Sequence, residues 1–486
     1  MTAGVTWRER LGIVSLAFVP RLVAGSLTFG SVDAIACFRN TIRIIEGLPM
    51  AAPYLSGVEL WIWIGSVLAV HAPVPVMLPH RLLAIACDAL IALLLLESAP
   101  GRRDGLRRGI LYAIAPIPIV ISAVHTQWDS VWIYFLMLAL VLVRIGRPAI
   151  DAAAGAAFVL SVTIKPIAAP LVFVLVPRTR ARFAGFAIGA AATLAVYYSI
   201  LAALGWLPDW NEVLGILHYA RGGLRIFGLP YRPFDRFWAT MAMVALLTAL
   251  HFAKRISRDE VALLFLAFAL GISGLSIQYL MWVVPFAILC DRTRFLALYT
   301  LAAGVFTLFF YQSPMLNLLN TENLGAFAPL KPFGAWAPPL PHPAMRPYLL
   351  FIGNIAVPLL CLGLVILRIA ALLRPKAIEE FAPRPRPILT PALVLLLAVG
   401  AATIAAVLLP PLDPVAFVGQ VERKIGAYDV VRYFGPTMMQ PGSKIWIARS
   451  IAEPGVANPI LNISNLLLTW TVAAALATAV WRTRES

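Results

Sequence analysis

The feature that most restricts this chain is the recurrence, along its whole length, of apolar runs of roughly 17 to 25 residues, each able to cross a hydrocarbon core as a helix. About fourteen such runs can be counted, give or take one or two. Only 13% of the residues are charged and 61% are hydrophobic, whereas a soluble domain carries about 25% charge. The expected fold class is therefore an all-α polytopic membrane protein with about 12–14 transmembrane helices. The first run, LGIVSLAFVPRLVAGSLTFG at 11–30, follows the basic WRER and reads as a signal anchor rather than a cleaved leader.

The net charge of +16 does not call for nucleic acid, because the basic residues sit mostly in alternate loops. Arg8 and Arg10, GRRDGLRR at 101–108, Arg144 and Arg147, PRTRAR at 177–182, AKRISR at 253–258, DRTR at 291–294, LLRPKAIEEFAPRPR at 372–386 and WRTR at 481–484 hold most of them. By the positive-inside rule these loops are cytoplasmic. Spans fitted between them are expected at 11–29, 80–98, 109–124, 130–144, 149–164, 166–177, 183–204, 237–253, 260–277, 279–290, 295–311, 347–370, 391–409 and 460–480, with both termini inside. The four cysteines imply no disulfide framework. No internal repeat is visible, which disfavours transporter folds built from two related halves.

With that topology, nearly every polar group lacking a routine explanation falls on the outer side. The first external segment, about 30–79, is long. Its ELWIWIGSVLAV suits a helix lying along the interface better than a span. Asp33 follows the first span directly, at the start of an expected amphipathic helix in AIACFRNTIRII, where an acid also offsets the helix dipole. The turn HTQWD between the third and fourth spans holds His125, Gln127 and Asp129. An aspartate there can cap the next helix, but four functional side chains in one turn, counting Trp128 with those three, exceed what capping needs. Ionisable groups at membrane depth tend to mark function. Lys165, in SVTIKPIAAP, ends the fifth span at the same level, and snorkelling and anion binding account for it equally well. YARGGLRIFGLPYRPFDRFW at 219–238 combines Tyr219, Arg221 and Arg225 with further arginines and aromatics; guanidinium forks suit phosphate oxygens. In GISGLSIQYLMWVVPF at 271–286 an aromatic belt accounts for Tyr279 and Trp282, but not for Gln278.

Taken in order, these features resemble the GT-C superfamily of integral-membrane glycosyltransferases, which use polyprenyl-phosphate-linked sugars, and in character its mannosyltransferase-like branches. The matching elements are Arg21 within the first span with Asp33 just outside it, the glutamine and acid of HTQWD, the lysine and proline of IKPIAAP, and the glutamine, tyrosine and tryptophan of SIQYLMW. The match extends over about residues 10–310. It implies a GT-C-like fold whose long first external loop carries interfacial helices, and inverting transfer of a hexose, such as mannose, from a polyprenyl-phosphate donor. The acceptor would be a hydroxyl of a glycan, lipid or protein. Asp33 would be the general base, with Asp129 a second catalytic carboxylate. Arg21, His125, Gln127, Lys165, Tyr219, Arg221, Arg225, Gln278 and Tyr279 would bind substrate.

Asp33, His125 and Asp129 are of metal-ligand type, but no tight ligand spacing occurs and basic residues suffice for a leaving lipid phosphate, so neither metal nor other cofactor is expected. The expected division is a catalytic membrane module at 1–311, further helices with a proline-rich external loop at 312–409, and a small external cap with a last helix at 410–486. Richness in alanine and arginine suggests a bacterial source, hence the inner membrane with the site facing the periplasm. The rival readings are a transporter or flippase for a lipid-linked or anionic substrate, whose coupling residues belong near the midplane, and a polysaccharide ligase or polymerase that would not need Asp33.

Overall fold

The structure is a computed structural model; it describes residues 5–30, 37, 59–71, 78–203, 207, 223–226, 229–273, 276–311, 318–319, 346–373, 419–425, 428–433 and 444–448. Helices dominate: α1 (Trp7–Leu27), α2 (Glu59–His71), α3 (Leu78–Glu97), α4 (Arg102–Ala113), α5 (Pro116–Ile119), α6 (Asp129–Ile145), α7 (Pro148–Ile164), α8 (Val172–Leu175), α9 (Arg180–Ala203), α10 (Arg236–Phe252), α11 (Arg258–Ser273), α12 (Val284–Leu289), α13 (Thr293–Tyr311) and α14 (Arg346–Leu373). Short antiparallel pairings join β1 (Thr28–Gly30) to β4 (Leu318–Leu319) and β2 (Gly223–Ile226) to β3 (Leu229–Asp235). A three-stranded sheet, β5 (Gly419–Ile425), β6 (Tyr428–Tyr433) and β7 (Lys444–Ala448), occupies the segment expected to form an external cap.

Three of the described helical stretches, Leu78–Glu97, Arg180–Ala203 and Ile355–Leu373, are long and apolar enough to cross a membrane. Arg102–Ala113 and Pro116–Val124 pass together, bent by 47°. The expected spans at 391–409 and 460–480 lie outside the described residues, as do Asp33 and most of the amphipathic segment after it. Two expected spans are shorter and less regular than the sequence suggests. Pro166–Leu175 and Ile277–Leu289 are short apolar segments that begin in 3₁₀ geometry, at Pro166–Leu171 and Ile277–Met281. Each follows a residue with extended backbone, Lys165 or Ser276, and each falls well short of the roughly 20 helical residues a crossing needs. Proline at 166 and 170 explains the first, since it removes backbone donors and blocks helix continuation into the preceding turn.

The break between α4 and α5 has its own supports. Pro116 lacks an N–H and disfavours helical geometry at Ala115, which is extended (φ −63°, ψ 124°). The Tyr112 carbonyl, which also accepts from Ala115 N–H at 3.1 Å, and the Ala113 carbonyl accept from the Arg21 guanidinium at 3.4 and 2.8 Å. Arg21 Nε donates to Asp88 at 2.8 Å, and the Tyr112 hydroxyl donates to the same carboxylate at 2.6 Å. Arg21 and Asp88 are both fully buried. Beyond α5 the helix widens into a π turn, Val120–Val124, in which His125 N–H reaches back five residues to Val120 O at 2.8 Å.

α7 and α9 pack backbone to backbone. A Cβ at Gly189 would lie 1.9 Å from Ala152 O, at Gly185 2.3 Å from Pro148 O, and at Gly155 2.0 Å from Phe186 O. The GFAIG run at 185–189 is thus a small-residue seam of the kind that lets membrane helices approach closely. α9 also exposes Ile188, Leu194, Val196 and Ile200.

One end of the bundle carries a rim of ion pairs. Arg10 pairs with Glu97, Arg102 with Glu9, Arg108 with Asp291, Arg144 with Asp259, Arg182 with Asp151, and Arg292 and Arg368 with Glu260. Arg102, with the N–H and hydroxyl of Thr6, holds the Glu9 carboxyl down to about 2. Every basic member except Arg368 comes from a loop or loop edge that the charge pattern places on one side, and Arg368 lies near the end of α14 just before another such loop.

Candidate functional site

α6 is 17 residues long, about 25 Å at 1.5 Å per residue, and its first residue, Asp129, stands at the end away from the rim. The preceding turn is tightly shaped. Thr126 adopts left-handed backbone (φ 62°), which a β-branched residue tolerates at a cost of about 1–3 kcal/mol. Its hydroxyl accepts from Arg81 Nε at 2.8 Å. The same guanidinium donates to Gly25 O at 2.5 Å and Val124 O at 3.3 Å, so a fully buried arginine at the start of α3 fastens α1 to the turn.

Asp129 is 1% exposed. Its Oδ1 accepts three hydrogen bonds: from Lys165 Nζ at 2.7 Å, from the Trp282 indole N–H at 2.6 Å and from the Trp132 indole N–H at 3.0 Å. Among the described residues no donor is recorded on Oδ2. The Lys165 ammonium lies 5.1 Å from the Tyr279 ring centre and 5.2 Å from that of Trp282. These rings lie 4.3 Å apart, tilted by 38°, and Trp132 meets Trp282 edge-on at 5.6 Å. A buried carboxylate of this kind is stable because a cation and two neutral donors replace its water. The lysine side chain keeps 23% of its surface exposed, and only one of its three donors is needed for Asp129.

The three pieces are brought together by local breaks in regular structure. Lys165 is delivered where α7 stops before Pro166, and Tyr279 and Trp282 where the chain after Ser276 turns through a 3₁₀ segment. Ser276 Oγ donates to Gln278 Oε1 at 2.7 Å, which fixes the orientation of that amide. Gln127 is half-buried in the turn beside Asp129, while His125 is buried there.

Of the residues expected to form the site, Asp129, Lys165 and Tyr279 are in mutual contact or joined through Lys165, with His125, Gln127 and Gln278 on the same turns. Tyr219, Arg221 and Asp33 lie outside the described residues. Arg225 lies on β2 opposite Pro230, and only its backbone is described. Arg21 does not belong with them: its donors go to Asp88 and to the carbonyls of Ala17, Ala113 and Tyr112, so it supports the helix break instead of meeting a substrate. Trp282 is no belt residue either, being 3% exposed with its N–H on Asp129. Trp132 and Arg81 were not anticipated. Trp132 stands one helical turn after Asp129, a spacing that signals contact; Arg81 had as its signal a basic residue at the outer end of an apolar run.

His125 and Asp129 are the ligand-type side chains of the turn. Among the described residues no three His, Cys, Asp or Glu side chains gather as a metal site. Fold and site together define a helical protein with helices long and apolar enough to cross a membrane and a lysine–carboxylate pair in an aromatic setting at one end. The chain matches no family model, no curated protein and no solved structure at a significant level.

Proposed function

We propose that the protein is a GT-C-type glycosyltransferase of a bacterial inner membrane, moving a hexose such as mannose from a polyprenyl-phosphate donor to an acceptor hydroxyl at the periplasmic face. The observation that carries this reading is the Asp129–Lys165 pair set against Tyr279 and Trp282. A partly exposed ammonium held by a buried carboxylate keeps donors to spare for a phosphate. Such a preorganised charge is often the largest catalytic contribution where water is scarce. Aromatic faces beside it suit a sugar ring or a polyprenyl unit. In this reading the chain crosses the membrane twelve to fourteen times; Arg221 and Arg225 add positive charge for the donor, and Tyr219 adds an aromatic ring and a hydroxyl.

The reaction is a single displacement. Asp33 takes the proton of the acceptor hydroxyl as its oxygen attacks the anomeric carbon; the C–O bond to the lipid phosphate breaks, and Lys165 compensates the charge that gathers on the departing phosphate oxygen. Configuration inverts. A base in this position contributes about 10²–10⁴-fold. Asp129 acts through Lys165 by fixing its position, and Gln127, His125 and Gln278 orient sugar hydroxyls.

The test is transfer of labelled hexose from polyprenyl phosphate by the full chain in lipid nanodiscs. Asp33→Asn is expected to lower turnover about 10²–10⁴-fold, and Lys165→Met about 10²–10³-fold. Full activity in Asp33→Asn would remove the base assignment. No transfer by the wild-type chain with any hexose donor, together with uptake of a lipid-linked substrate, would favour a flippase.

A further inference from the structure

We propose that the rim end of the bundle holds a second site, unconnected with sugar transfer, that binds the phosphate of an anionic membrane lipid between Arg178 and Arg258. Four guanidiniums from separate elements converge there. Arg258 Nε donates to Val174 O at 2.7 Å, at the end of α8. Four residues on from Val174, the Arg178 guanidinium lies 4.8 Å from the Phe252 ring centre at the end of α10. Arg182 donates to Val143 O at 2.6 Å, one residue before Arg144, and Arg144 pairs with Asp259, the neighbour of Arg258.

The charges do not balance. Arg182 is neutralised by Asp151, with Nε–Oδ2 at 2.7 Å and Nη2–Oδ1 at 3.1 Å, and Arg144 by Asp259. Among the described residues Arg178 and Arg258 have no carboxylate partner. Burial, together with the nearby guanidiniums of Arg182, Arg178 and Arg144, pushes the Arg258 pKa below its ordinary value. A half-buried cation among like charges gains when an anion arrives, and guanidinium forks match phosphate oxygens. Phosphate could be free or lipid-borne, and the surroundings favour lipid. Phe252, against Arg178, and Phe173 and Phe183, next in sequence to Val174 and Arg182, are each about half exposed, offering apolar surface where acyl chains lie. Basic pockets between helix ends on the cytoplasmic side are suited to anionic headgroups.

The experiment counts lipids retained by the full chain released from nanodiscs of phosphatidylcholine with a minor share of phosphatidylglycerol, read by native mass spectrometry. Wild type is expected to retain phosphatidylglycerol in preference to phosphatidylcholine. Arg178→Gln should lower that preference about fivefold, and Arg178→Gln with Arg258→Gln further, since one basic residue at an anionic surface contributes a factor of about that size. Arg107→Gln, on α4, serves as the control and should leave it unchanged. The Arg178 side chain is exposed and holds no ion pair among the described residues, so its replacement keeps the fold. Unchanged preference in Arg178→Gln would overturn the proposal. Displacement of phosphatidylglycerol by millimolar inorganic phosphate in nanodiscs would show a free-phosphate site and overturn the lipid assignment. Both readouts are separate from hexose transfer.

Discussion

Lys165 and Asp129 are 36 residues apart in sequence and 2.7 Å apart in space, and two indoles complete the carboxylate's shell. Trp282→Phe keeps the ring over Lys165 but deletes one donor to a buried charge, a loss of about 1.5–3 kcal/mol. It is expected to lower the thermal midpoint in detergent and to cut hexose transfer more than Tyr279→Phe does; equal behaviour of the two variants would mean that the indole N–H is not needed. At this scale the sequence was informative where a polar residue stood at the end of an apolar run. Asp129, Lys165 and Gln278 are conspicuous for that reason. It was uninformative where function depends on a partner far along the chain: Trp282 reaches Asp129 across 153 residues. Arg21 misled because an arginine inside an apolar run signals a need for partners without saying which, and the partners turned out to be Asp88 and the carbonyls of a broken helix.

Among the described elements, α7 and α9 pack most closely. A side chain at Gly189 would meet Ala152 O at 1.9 Å, which only a backbone shift relieves. Gly189→Leu should therefore cost about 1–3 kcal/mol or more, whereas Gly363→Ala on α14, with open space around its position, should be neutral or slightly stabilising. Thermal unfolding of the two variants in one detergent checks this, and a Gly189→Leu variant as stable as wild type would refute the packing. Helix extents were legible because hydropathy and proline fix them locally: α3, α6, α7, α9 and α10 begin and end within a few residues of expectation. The half-length segments after Lys165 and Ser276 were not, since an apolar run of twelve residues reads alike as a short span or a partial return.

For the molecule as a whole, the ion-pair rim and the Asp129–Lys165 cluster occupy opposite ends of α6, which matches a charge pattern that puts basic loops on one side of a membrane. With the native cysteines replaced, Leu207→Cys beyond α9 should react with an impermeant maleimide in intact cells. Arg103→Cys at the exposed start of α4 should react only after lysis. The reverse pattern would invert the side of the site and with it the periplasmic assignment. By itself the sequence determined the helical, lipid-compatible character of the chain, the positions of most helices and the end on which polar groups gather, because hydropathy and charge act over one span at a time. Only the tertiary structure decided which polar groups meet. Pairing Asp129 with Lys165 and Trp282, and Arg21 with Asp88, depends on which helix faces pack together, and a buried charge takes whatever donor that packing presents.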